Sequence, residues 1–429
     1  SGVTVASSWE DKYDQAFYSK IESEYENGYT TVDTALEIGT AAELAAFAKF
    51  VNDGVNSGSP DYKNSHGFEN KFVCLTDDID LQGAAPMVDY QNDGDDGFKV
   101  VLTGAVSNNW VPIGSSTNKA LFCGTFDGKN HSILGMVAKG DRYVGLFSAI
   151  IESTTIQNVG VKNSVLIGTN SAGFIAAGSN DSTTQNCYVT GEIYVVMDEE
   201  FTSVEVGGIF GYFGDNTQVK NCYSRCDIFA GCTQPNYVVF VGGILGSAST
   251  TCKLENCYSC SKLYAFSSHR YLVAGTGGNG GGNSYYNKDV TGDIGAAWVS
   301  GSGIIDTETA KGLTTAEFKQ KLSYLTDETG SPIWFLDIFG LKLKTPHSSD
   351  FTFTLPEDLD YDGQGKTITI APKPGITGMG AVTVKYYKVE NGSTTLLDGP
   401  PTDAGRYKVK FDVASGTEYY SATDLPAMF

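Results

Sequence analysis

The triplet Asn-Cys-Tyr recurs at Asn186-Cys187-Tyr188, Asn221-Cys222-Tyr223 and Asn256-Cys257-Tyr258, each copy 35 residues after the last. A second motif keeps the same step, with Gly173 in SAGFIAAG, Gly208 in VGGIFG and Gly243 in VGGILG. Two motifs locked to one interval mark a stacked repeat, whose units are too small to bury an apolar face alone and must lean on their neighbours. Each unit divides into three short runs of strand character, as in EVGGIFGYF, QVKNCYS and RCDIFAG, with Gly or Asn at the corners.

Equivalent residues on adjacent turns of a parallel stack lie about 4.8 Å apart. Asn186, Asn221 and Asn256 are expected at the corners. Cys187, Cys222 and Cys257 are expected as an interior column, because in-register side chains pointing one way suit packing and disfavour disulfide geometry. Tyr188, Tyr223 and Tyr258 should then point outward as an exposed aromatic ladder, with the rings stacked on each other or available to sugar faces.

Composition narrows the partners. With 50 Asp and Glu against 29 Lys and Arg, the net charge is −21, so nucleic acid and anionic lipid are poor partners. Frequent Gly, Tyr and Phe with little Pro indicate an all-β chain of short strands and tight turns. No run reaches the roughly 18 apolar residues of a membrane helix, so no membrane insertion is expected. The sequence opens at Ser1-Gly2, as expected if an export signal lies upstream.

Residues 1–36 read as a segment wrapping the domain that follows. In GTAAELAAFAKFVNDG, Thr40 and Glu43 form a capping-box pattern, Leu44, Phe47 and Val51 share a face, and Gly54 follows, which predicts a helix at about 40–53 that caps the open end of the stack. KFVCLTDDIDL alternates as a strand, with Phe72, Cys74 and Ile79 expected inward. Residues between Leu81 and Trp110 read as an inserted loop or hairpin. After Pro346 the pattern changes to alternating strands between turns, which predicts a sandwich over 346–429.

Candidate chemistry is sparse. Asp89, Asp93, Asp95 and Asp96 gather oxygen ligands around Gly94 like the start of a calcium loop, although Val100 stands where the closing Glu belongs; an acidic loop tip is the alternative. No cofactor is expected unless this loop holds calcium. Asp198-Glu199-Glu200 reads as a solvated loop or a cation site. Cys222-x3-Cys226 with Cys257-x2-Cys260 has zinc-like spacing, with a Cys226–Cys260 disulfide or simple membership of the repeat as competing explanations. His66, His131, His269 and His347 form no ligand pair, and a structural hydrogen bond is expected of His131. The repeat fixes Gly, Asn, Cys and Tyr but no acid, so no catalytic residue is assigned.

The ordered motifs AAELAAFAKFVNDG, LTDDIDL, WVPIG, GTFDGKNHSILGM, YVGLF, IQNVGV and VGGIFG with NCY resemble bacterial surface proteins carrying GLUG repeats. The resemblance covers about residues 37–345, including Leu313, Phe318, Trp334 and Leu341 of the closing pattern. Gly145-Leu146-Phe147-Ser148 departs from it by losing the last glycine. Residues 346–429, with LDYDGQGKTITIAP, resemble MBG-type Ig-like modules.

These resemblances imply a right-handed parallel β-helix, a pectin-lyase-like solenoid, followed by an Ig-like β-sandwich. They also imply export to the bacterial cell surface and no catalytic residues. The expected role is adhesin-like binding of a glycan or host protein by a monomer. A polysaccharide lyase or glycoside hydrolase on the same scaffold is the alternative, and a passive stalk is the second.

Overall fold

The computed structural model describes residues 2–429 except 56–63, 93–97, 115–119, 198–202, 233–236, 268–269, 278–283, 296, 300–302, 306–309, 318–335, 338–339, 342–345, 347, 361, 391–392, 415–418, 420 and 428–429. The chain divides into two compact units, residues 1–318 and 319–429. Strands dominate both, and no helix among the described residues is long and apolar enough to cross a membrane.

The first unit is organised by four parallel sheets that the chain visits in turn. From Thr183–Gln185 it passes to Tyr188–Met197, then Ser203–Gly207, then Phe210–Phe213, and returns to the first sheet at Gln218–Lys220. Each strand pairs with its counterpart one unit later. Tyr188–Met197 and Tyr223–Cys232 match in ten consecutive in-register pairs. Earlier units are shorter, since Thr155–Gln157 pairs with Thr183–Gln185, 28 residues on.

The structure corrects the expected three strands per unit to four, with different breaks. At Gly208 there is no room for a side chain, because a Cβ would overlap the Ser224 hydroxyl and the Gly243 carbonyl. The corner formed there splits EVGGIFGYF into two strands. Asn221 turns the chain at φ 52°, splitting QVKNCYS, and the strand from Tyr223 then runs unbroken through RCDIFAG.

Ahead of these units the helix Ala41–Asn52 starts with a reciprocal cap: Thr40 Oγ1 accepts from the Glu43 N–H at 3.2 Å, and Glu43 Oε2 accepts from the Thr40 N–H at 3.0 Å. Leu44, Phe47 and Val51 are fully buried, and Phe47 meets the rings of Phe68 and Phe122 at 5.1 and 5.8 Å. A second helix, Gln15–Glu24, unforeseen in the sequence, is capped by Asp14 and buries Phe17 and Ile21. Val3–Val5 pairs with Phe98–Val106, which forms an antiparallel hairpin with Met87–Asn92 between Leu81 and Trp110.

The strand Phe72–Leu75 has the opposite phase to that expected. Val73 and Leu75 belong to the core, because they pair with Leu36 and Ile38, which are themselves buried; Phe72 and Cys74 face the other way. Of the closing pattern, Leu313 is buried in the strand Ala310–Leu313, while Phe318 and Trp334 lie outside the described residues.

The second unit contains three antiparallel sheets among the described residues, one of them only the short pair Leu336–Asp337 and Gly340–Leu341. Phe351–Thr354 pairs with Thr369–Pro372, and Ser393–Leu396, Val382–Glu390, Tyr407–Val413 and Ala422–Pro426 form a four-stranded sheet. A small core of Phe351, Ile370, Tyr386, Val409, Phe411 and Val413 joins these two, with the Phe351 and Phe411 rings 4.8 Å apart.

Candidate binding surfaces of the parallel stack

The repeated corner is a continuous amide ladder. Asn158, Asn186, Asn221 and Asn256 have φ of 54°, 54°, 52° and 50°, a left-handed conformation that asparagine tolerates better than most residues. Asn186 Nδ2 donates to Asn158 Oδ1 at 3.0 Å, Asn221 to Asn186 at 3.2 Å and Asn256 to Asn221 at 3.3 Å. The chain of amides ends at Asp127, whose Oδ1 accepts from Asn158 at 3.0 Å.

Cys187, Cys222 and Cys257 lie in the core just inside this corner. Each thiol donates at 3.2 Å to the carbonyl two residues back: Gln185, Lys220 and Glu255. Burial pushes the Cys187 and Cys222 thiols well above their ordinary range, so they are poor nucleophiles and poor metal ligands. None of the nine cysteines is joined in a disulfide. The Cys226–Cys260 bridge is not formed, because the Cys226 N–H is bonded to Ser261 Oγ at 3.0 Å and Cys260 stands one place away in the register. Zinc is likewise unsupported, since the described residues contain no group of three His, Cys, Asp or Glu placed to share a metal.

The exposed ladder expected of Tyr188, Tyr223 and Tyr258 is corrected: they are 7%, 2% and 2% exposed. Alternation does turn them away from the core cluster that holds Cys187 and Val189, but they are in register on successive strands and are covered there. Tyr223 and Tyr258 stack at 5.4 Å and 10°. Tyr188 covers Gly160, where a Cβ would collide with the ring, and its hydroxyl meets Ser132 Oγ at 2.6 Å. These faces are closed to a sugar.

Open aromatic surface lies elsewhere. Tyr194, Phe229 and Tyr264 form a second column, stacked at 5.2 and 4.7 Å, in which Tyr194 and Phe229 are buried and Tyr264 is 41% exposed. These three also recur at the 35-residue step, so the signal was present in the sequence.

Tyr143, Ser171, Glu205 and Phe240 make an in-register outer column on the third sheet, while Val144, Ala172, Val206 and Val241 beside them enter the core. Glu205 Oε1 accepts from Ser203 Oγ at 3.1 Å, and the Ser247 and Ser171 hydroxyls also reach the carboxylate. Burial raises the Glu205 pKa against the opposing pull of these hydroxyls. Tyr212, 44% exposed on the neighbouring sheet, lies close enough for Glu205 to help burial raise its phenol pKa.

Of the calcium pattern, Asp89 is exposed on the strand Met87–Asn92, and Asp93, Asp95 and Asp96 lie outside the described residues, as does Asp198-Glu199-Glu200. His66 stacks on Phe50 at 4.1 Å, and His131 Nδ1 lies 3.5 Å from Asp78 Oδ1. His269 and His347 are outside the described residues. A cavity of about 380 Å³ is lined in part by Thr30, Glu69, Asn70, Cys123 and Glu152, and it brings two exposed carboxylates to one opening.

No protein-family model matches the chain, and no curated protein matches it. Among solved structures it is similar to a Bacteroides ovatus protein provisionally named an immunoglobulin A1 protease, at 16% identity and a TM-score of 0.41, over 73% of this chain and 93% of that one. A likeness this slight carries no conclusion about site or activity.

Proposed function

We propose that the chain is an exported bacterial cell-surface binding protein of the GLUG-repeat kind. Its first unit is a right-handed parallel β-helix and its second an MBG-type, Ig-like β-sandwich. The β-helix contacts a glycan or an extracellular host protein through its outer faces. The observation that carries this is the pair of open rings, Tyr212 and Tyr264, at 44% and 41% exposure, where Phe210 and Phe213 on either side of Tyr212 and the Tyr194 and Phe229 rings in line with Tyr264 are buried. An exposed ring on a rigid sheet presents apolar area at little entropic cost, which suits recognition.

A polysaccharide-cleaving role is the competitor, since such chemistry works through two carboxyl groups and Glu69 and Glu152 both line the cavity. One experiment separates them: the full chain is tested on glycan and extracellular-protein arrays and then incubated with any polysaccharide it binds. Retention without new reducing ends is expected. Silence on both arrays refutes the binding role, and release of reducing ends that Glu152→Gln abolishes establishes cleavage instead.

A further inference from the structure

Glu205 is a carboxylate with an unusual set of neighbours. Its partners among the described residues are hydroxyls, with no cation, although it sits half-buried on an outer face. Ser203 Oγ fills one of the roughly four acceptor positions that a carboxylate offers and the Ser171 and Ser247 hydroxyls lie near, which leaves room for a further donor. The half-buried ring of Phe240 is its in-register neighbour on one side, the half-buried ring of Tyr143 lies two strands away on the other beyond Ser171, and the open ring of Tyr212 is close enough on the neighbouring sheet to feel its charge. Such a surface asks for a ligand that combines a hydroxyl donor with an apolar C–H face, as a pyranose does. An anionic ligand would meet repulsion from Glu205 and from nearby Asp215, whose charges both act on Tyr212.

We propose that Glu205 and Tyr212, flanked by Tyr143 and Phe240, form a subsite for a neutral saccharide whose hydroxyl donates to Glu205 and whose C–H face lies on Tyr212. This rests on the binding role proposed above and assigns it a location. The test measures the affinity of the full chain for neutral oligosaccharides retained on the array, with Tyr212→Ala, Glu205→Gln and Tyr264→Ala compared, and a thermal melt of each variant confirming the fold. Tyr212→Ala and Glu205→Gln are each expected to weaken binding at least tenfold, with Tyr264→Ala changing it less than twofold. Wild-type affinity in both subsite variants overturns the location while leaving the binding role intact, above all if Tyr264→Ala then loses binding. Retention of amine-bearing glycans alone overturns the neutral-sugar assignment. Wild-type protein that binds no saccharide removes the subsite, and it removes the binding role as well only when the extracellular-protein array is also silent.

Discussion

The repeating turns around residues 183–260 and the antiparallel unit beyond residue 346 are both β-structure, yet they hold together differently. In the turns, a residue rests on its own copy: asparagine bonds asparagine, cysteine packs under cysteine, and tyrosine stacks on tyrosine. In the antiparallel unit, six different buried side chains meet once, and no column repeats. The lesson is that parallel register converts one favourable corner into a series, so each substitution disturbs two neighbours. The antiparallel unit instead concentrates its stability in a few large contacts.

The sharpest way to break this contrast is at Phe411, fully buried between the sheets of the second unit. Phe411→Ala is expected to cost about 4 kcal/mol. Hydrogen exchange should show protection lost in strands 382–390 and 407–413; unchanged exchange there would mean that the core is not concentrated as described. In the stack, Gly208→Val should cost about 3 kcal/mol, because the new side chain meets the Gly243 backbone of the next turn. Chemical denaturation checks it, and a midpoint equal to wild type would show that the corner yields.

A smaller effect sharpens the account of the ladder. Asn221→Ala removes both side-chain ladder bonds and the polar side chain that makes a left-handed φ of 52° tolerable, for an expected cost of about 2 kcal/mol. Asn221→Gly keeps the backbone free at that angle and should cost about 1 kcal/mol. Equal melting points for the two variants would assign the whole effect to the amides and none to the backbone.

Much of this was legible where the signal was local or periodic. Thr40 and Glu43 announced the helix by themselves, and the 35-residue step located the asparagine corners. The failures have a common physical origin. Alternation along KFVCL says that neighbouring residues face opposite ways, but the partner strand Leu36–Ile38 decides that Val73 is the inward one. The same alternation turned Tyr223 from the core without revealing that another tyrosine would cover it. The helix Gln15–Glu24 went unnoticed because it buries only Phe17 and Ile21, too few to print a clear period.

The ten-residue match between Tyr188–Met197 and Tyr223–Cys232 has a consequence for how such a chain can change its dimensions. Since each turn accepts the next through the same corner, duplication of one unit would insert a layer that finds its partners ready on both sides. The molecule would lengthen by about 4.8 Å while every column remained filled. Reach becomes a quantity that gene duplication can adjust in even increments, without redesign of the interior.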